Sequence, residues 1–373
     1  MNGAAIRVSP AFYGVPFHVA RYGFVQADRI RRQVGNWLDA LGYGPVETPS
    51  RILCAGPVFR LRCYPHRAGA GPALLLIPAP IKRAYIWDLD PRTSVVRRCL
   101  EADFRVYLLE WTEPDAAAEG FGLADYADRL IGDCLDAIEA ETGRRGVALA
   151  GHSLGGALAA LFAALHPGRV RALVLLEAPL CFGTDAGAFA PLVAAAPPAG
   201  PLAAAFGTVP GSFLSLVSVA AAPASFQWSR WADWLESLGD PPARATHLRV
   251  ERWALDELPL PGRLFAESVE WLYREDRFRR GALTLGGRRA RPADLTMPIL
   301  TVVDPRSAII PPNSVLPVHE AAPSRRKRLL RYDGDRGVAL RHVGVLVGAS
   351  AHRSLWPEIL RWLRRAVPTR RDA

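Results

Sequence analysis

Short, nearly continuous apolar runs recur along the chain: Ala73–Ile77, Phe104–Trp111, Val147–Ala150, Val170–Leu176 and Met297–Val303. Runs of this kind read as strands buried on both faces. Between them lie longer stretches with helical periodicity. Phe24–Leu41 places Val25, Ile30, Val34, Trp37, Leu38 and Leu41 at helical spacing and stops at Gly42-Tyr43-Gly44-Pro45. Asp90-Pro91 opens a helix through Leu100, Leu123–Thr142 forms another, and Leu355–Val367 closes the chain as an amphipathic helix. Arg51–Tyr64 alternates like one or two antiparallel strands, with a turn at Gly69–Pro72, and Arg328–Tyr332 is the last strand. Strands alternating with helices predict a mostly parallel sheet covered by helices on both faces.

The alternation lapses between Cys181 and about Arg291, where no strand is expected and the pattern is helical, proline-punctuated and tryptophan-rich. This segment reads as a cap inserted over the sheet. The predicted organisation is an N-terminal arm and helix (1–50, irregular to residue 23, the helix packed on the main domain), core (51–180), cap (181–291) and core again (292–373). No charged residue occurs from Ala186 to Ser229, and Leu202–Ala222 has the length of a bilayer span. Pro210-Gly211 breaks it in the middle, so a buried or lid-forming helical pair is expected, not a transmembrane span. Trp228, Trp231 and Trp234, at helical spacing, read as cap packing, with a ligand platform as the alternative.

Composition narrows the class. Half of the residues are apolar and 22% are charged, as in a globular protein. The net charge of +10 comes almost wholly from arginine; Lys82 and Lys327 are the two lysines. The Arg, Ala, Gly and Pro richness reads as compositional bias. The Arg325–Arg328 cluster is short and leads straight into a strand, so nucleic acid is not an expected partner. Five cysteines without a C-x-x-C pair argue against a disulfide framework and a zinc site. Ser9-Pro10 and Gly14-Val15-Pro16 interrupt any signal-peptide core, so a reducing cytoplasm is expected. No motif for a metal or cofactor appears.

The strand Val147–Ala150 ends in Gly151-His152-Ser153-Leu154-Gly155, and a run of strong helix formers follows to Leu165. Strand, sharp G-x-S-x-G turn and helix form the nucleophile elbow of the α/β-hydrolase fold. A serine hydroxyl needs a base, which in this fold follows the nucleophile in the chain. His319, His342 and His352 lie after the resumed sheet. His342 sits in the loop beyond the last strand, where the base belongs. His152 reads as a packing or hydrogen-bonding residue and His166 as helix-terminal. The backbone N–H of Leu154 is one oxyanion donor; Ile81, after the Pro78-Ala79-Pro80 stretch, is the best second.

The loop and helix Pro78–Arg97, the strand Phe104–Trp111, Trp271–Asp276 with Leu285–Arg288, Ile309–Pro312 and Arg341–Val347 resemble, in collinear order, polyhydroxyalkanoate synthases. The resemblance covers about residues 70–365. It implies an α/β-hydrolase core with a cap and acyl transfer on hydroxyacyl thioesters, and it supports His342 and the Ile81 loop. Two departures stand out. Ser153 replaces the family cysteine, and the family's acid falls on Ser307. Asp304, at the end of its strand, is the first choice of acid; Glu177, at the tip of the preceding strand, is the alternative. The expected activity is a serine acyl hydrolase or acyltransferase acting on apolar esters or thioesters, acyl-CoA and polyester among them. The alternatives are a polymerase using hydroxyacyl-CoA and a catalytically weak acyl- or granule-binding relic. A homodimer is left open.

Overall fold

The apolar runs assemble, in a computed structural model that describes residues 11–66 and 71–367, around one twisted sheet. Its first strands are β1 (Arg51–Gly56), β2 (Phe59–Cys63), β3 (Ala73–Ile77), β4 (Arg105–Trp111), β5 (Val147–His152) and β6 (Val170–Leu176). The turn expected at Gly69–Pro72 lies partly outside the described residues. Helices α2 (Val95–Glu101), α3 (Leu130–Thr142) and α4 (Leu154–Leu165) alternate with these strands, after a leading helix α1 (Ala11–Leu38). Of the expected irregular arm, residues 1–10 lie outside the described residues, and residues 11–23 are helical.

After β6 the chain leaves the sheet for helices α5 (Phe189–Ala195), α6 (Ala199–Phe206), α7 (Gly211–Ala221), α8 (Ser229–Ser237), α9 (Pro241–Ala254) and α10 (Gly262–Glu267). Two short antiparallel pairs correct the expectation that this segment lacks strands: β7 (Thr208–Val209) pairs with the distant β8 (Leu260–Pro261), and β9 (Leu283–Leu285) forms a hairpin with β10 (Arg288–Ala290). Both are too brief to leave a period-2 signature. Pro210 separates α6 from α7, and among the described residues no single helix is long and apolar enough to cross a membrane.

The chain then returns through β11 (Ile299–Val303), α11 (Leu316–Ala321), β12 (Lys327–Arg331), α12 (Gly344–Val347) and α13 (Trp356–Ala366). Strand order in the eight-stranded sheet is β1-β2-β4-β3-β5-β6-β11-β12, antiparallel at β1–β2 and β2–β4 and parallel from there on. Alternation along β3 explains its continuous apolar run. Leu75 and Ile77 face the core under α3 and α4, whereas Leu74 and Leu76 face the core under α2 and α13.

The leading helix differs from expectation. It packs on the cap more than on the sheet domain: Phe24 meets Phe206 and Phe213 edge-on at 6.0 and 5.4 Å, and Asp28 accepts the Ser212 backbone N–H at 2.7 Å. The stripe that announced it, Ile30, Val34, Trp37 and Leu41, is exposed.

Candidate active site

Ser153 stands between β5 and α4 with φ 55° and ψ −133°, a left-handed conformation that costs a non-glycine residue about 1–3 kcal/mol. Backbone pairing holds it there: Ser153 N–H donates to the Leu176 carbonyl (3.0 Å), and its own carbonyl accepts from Gly156 and Ala157. Glycine is required at 155, because a Cβ there would collide with the Ile77 carbonyl and Pro78 where β3 ends. That close approach brings the Ile81 loop beside the elbow. Ser153, Leu154, Ile81 and His342 all line one cavity of about 200 Å³ beneath the cap. The first-turn N–H groups of α4 open toward the serine.

His342 lies in a single 3₁₀ turn, Arg341–Val343, beyond β12. Its Nδ1 hydrogen-bonds Glu177 Oε2 at 3.1 Å, and its Nε2 has no partner among the described residues. Glu177 is fully buried, follows β6 with φ 43°, and is tied by its N–H to the Val302 carbonyl (3.0 Å). Asp304, expected as the acid, is not the residue at the imidazole. Both its oxygens are engaged by the Arg341 guanidinium, and Oδ1 also accepts the Arg306 N–H (2.9 Å). The geometry gives the contact to Glu177, the alternative. Ser307, where the family's acid would fall, accepts the Ile310 N–H through its hydroxyl at 3.1 Å.

Burial governs the electrostatics. It lowers the His342 imidazole to about 4, with Asp304 pulling the other way. Burial also raises the Glu177 carboxyl well above its ordinary value; the Asp304 charge adds to this, and Arg341 opposes it. Arg341 therefore does two things: it neutralises Asp304 and limits how far that carboxylate perturbs Glu177.

Three positioning contacts have little or no signature in the sequence. His152 packs its ring 4.5 Å from that of His342 and donates Nε2–H to the His342 carbonyl (2.9 Å). Asp233, on α8, accepts the N–H groups of Gly337 and Ala339, each at 2.7 Å, and so ties the base-bearing loop to the cap. Lys82, next to Ile81, reaches Glu257 (2.7 Å) and the Ala254 carbonyl (2.8 Å). The Arg341–His342 pair could have suggested the Asp304 contact; nothing local marks Asp233.

The α/β-hydrolase-fold family model matches residues 72–199. Along most of its length the chain is similar to proteins named poly(3-hydroxyalkanoate) polymerase subunit PhaC. That of Haloferax mediterranei is 29% identical over 87% of this chain and 66% of its own length. That of Allochromatium vinosum is 27% identical over 88% of this chain and 92% of its own. The chain has the α/β-hydrolase fold, and its sequence is similar to that of polyhydroxyalkanoate synthases. The chain spans 60% of the length of a further relative of that name, from Haloarcula marismortui, at 27% identity. Solved structures agree on the fold alone. A monoacylglycerol lipase of Paleococcus ferrophilus superposes with TM-score 0.50 and 17% identity, over 80% of this chain and 97% of its own. An epoxide hydrolase of Bacillus megaterium gives 0.51 and 14%, over 85% of this chain and 100% of its own.

Proposed function

We propose that this chain transfers hydroxyacyl groups from thioesters through an acyl-Ser153 intermediate, in the manner of a polyester synthase. The observation that carries the proposal is His342: one nitrogen held by a buried carboxylate, the other unpartnered, in the same cavity as a strained Ser153. Similarity to polymerases over most of the chain moves transfer ahead of the hydrolysis first expected.

In this mechanism Ser153 Oγ forms a bond to the thioester carbonyl carbon as His342 Nε2 takes its proton. The Leu154 and Ile81 N–H groups hold the oxyanion. Collapse breaks the C–S bond, and the thiolate leaves with the proton from His342. A hydroxyl from the growing chain then gives its proton to His342, attacks the acyl carbon and returns Ser153 to its resting state. Glu177 keeps the imidazole oriented through Nδ1–H and stabilises its cation.

Hydrolysis is the second reading, favoured by the nucleophile itself. A serine ester is less activated toward alcohols than a cysteine thioester, so water is the easier acceptor wherever the cap admits it. Incubation with 3-hydroxybutyryl-CoA separates the two: CoA release with polymer supports transfer, CoA release with free acid supports hydrolysis. No CoA release, together with no fluorophosphonate labelling of Ser153, would overturn both.

A further inference from the structure

We propose that the tryptophan-lined groove on the outer face of the cap is a second acyl subsite, holding the distal part of an apolar ester chain whose carbonyl end is at Ser153. The inference rests on the acyl-serine reading above. The groove, of about 620 Å³, has Trp228, Trp231 and Trp234 along it. The expectation that these rings pack the cap holds for Trp234, whose ring lies 5.2 Å from that of His247. It fails for the other two: Trp228 and Trp231 are 73% and 66% exposed. Two large aromatic side chains left in water one turn apart are unusual unless they meet something apolar.

Continuity with the catalytic cavity identifies what they meet. Phe226 and Arg230 line both spaces and form the partition between them. The inner cavity has about 200 Å³ of accessible space. An acyl chain attached at Ser153 and too long for that space meets the outer groove at this partition. Arg230 stands in this partition: its guanidinium is paired with Glu251 (Nε to Oε1, 2.7 Å) and donates to the Phe226 carbonyl at 3.3 Å. Moving that one side chain, with the Phe226 ring, would join the spaces. Among the described residues, the ionisable side chains lining the groove are Arg230 and Glu251, paired with each other, and His247, paired with Asp233, so an uncharged chain suits it better than the phosphates of a nucleotide.

The test is a chain-length series of p-nitrophenyl esters, from butyryl to dodecanoyl, on the full chain and on the W228A/W231A double variant. The expected result is butyryl turnover within about twofold of the parent and dodecanoyl kcat/KM lowered by about tenfold, from lost apolar contact. Calorimetric titration of dodecanoate into Ser153→Ala, with and without the two tryptophan replacements, reads binding apart from chemistry. Affinity should fall about tenfold when the tryptophans go. An unchanged chain-length profile, or equal losses for short and long esters, would overturn the subsite. So would dodecanoate affinity indifferent to the tryptophans, competition by free CoA for the groove, or a tryptophan-dependent dimer or vesicle contact that leaves the profile intact. If no ester turns over even in the parent, CoA release and fluorophosphonate labelling decide the acyl-serine reading, and the titration alone decides the groove.

Discussion

At the scale of single residues, the candidate site contrasts one carboxylate that touches the base with one that is occupied elsewhere. Glu177→Gln should lower kcat by about 10³–10⁴ with little change in KM, as for a triad whose orienting acid is lost. Asp304→Asn should cost activity at least about tenfold less, since its partner is Arg341. Equal losses in steady-state rates would return Asp304 to the catalytic role.

Burial of the base has a further consequence. With His342 lowered to about 4, the neutral imidazole persists well below the ordinary histidine range. The acid limb of kcat/KM should therefore lie nearer pH 4 than 6.5, and a limb at 6.5 would show the base to be solvated. The same lowering bears on stability. The unfolded chain binds more protons than the folded one between these values, so stability present above pH 6.5 is lost as pH falls toward 4. By linkage this amounts to about 3 kcal/mol for His352, which is also lowered to about 4, whereas at His342 the raised Glu177 carboxyl acts in the opposite sense and offsets part of the loss. Urea midpoints measured down that range check it. Ser153 and His342 were legible in the sequence because a motif and a loop position mark them. The carboxylate beside the ring was legible only as the second choice after Asp304, because Glu177 reaches the ring from a left-handed turn that no local pattern announces.

Among elements, the buried strands were the most readable: Val170–Leu176 is a strand over the whole of the apolar run. Helix α1 was readable as a helix but not in its placement, because an amphipathic stripe says nothing about which neighbour, if any, will cover it. The link between α8 and the base loop is a product of tertiary folding. Gly337 and Ala339 both have positive φ, 69° and 54°, and both give their N–H groups to Asp233. Asp233→Ala should loosen this loop, raising amide exchange over residues 337–343 and slowing fluorophosphonate labelling of Ser153 by about tenfold through loss of the base's placement. Unchanged exchange and labelling would show that the cap does not steer His342.

Across the whole molecule, a buried ion cluster joins three parts of the chain that sequence reading treats separately. Glu257, in the cap, receives Lys82 from the oxyanion loop (2.7 Å) and Arg31 from α1 (2.8 Å). Burial lowers the Lys82 ammonium below its ordinary value, and Glu257 opposes that shift. Removing Glu257 alone strands two cations, whereas replacing Lys82 and Glu257 together by apolar groups leaves only the partly exposed Arg31, which keeps its hydrogen bond to the Ala254 carbonyl. Glu257→Gln should therefore cost about 3–5 kcal/mol, and the K82M/E257L pair markedly less. Thermal unfolding of the two variants compares them directly; the reverse order would mean that the cluster is solvated.

The left-handed backbone at Ser153 belongs to the turn and not to the atom it carries. Oxygen and sulfur can thus take the same seat. A Ser153→Cys chain should fold with an unaltered melting profile and acquire a thiol reactive toward iodoacetamide. One scaffold would then permit the leaving ability of an oxygen ester and of a thioester to be compared with every other contact held constant.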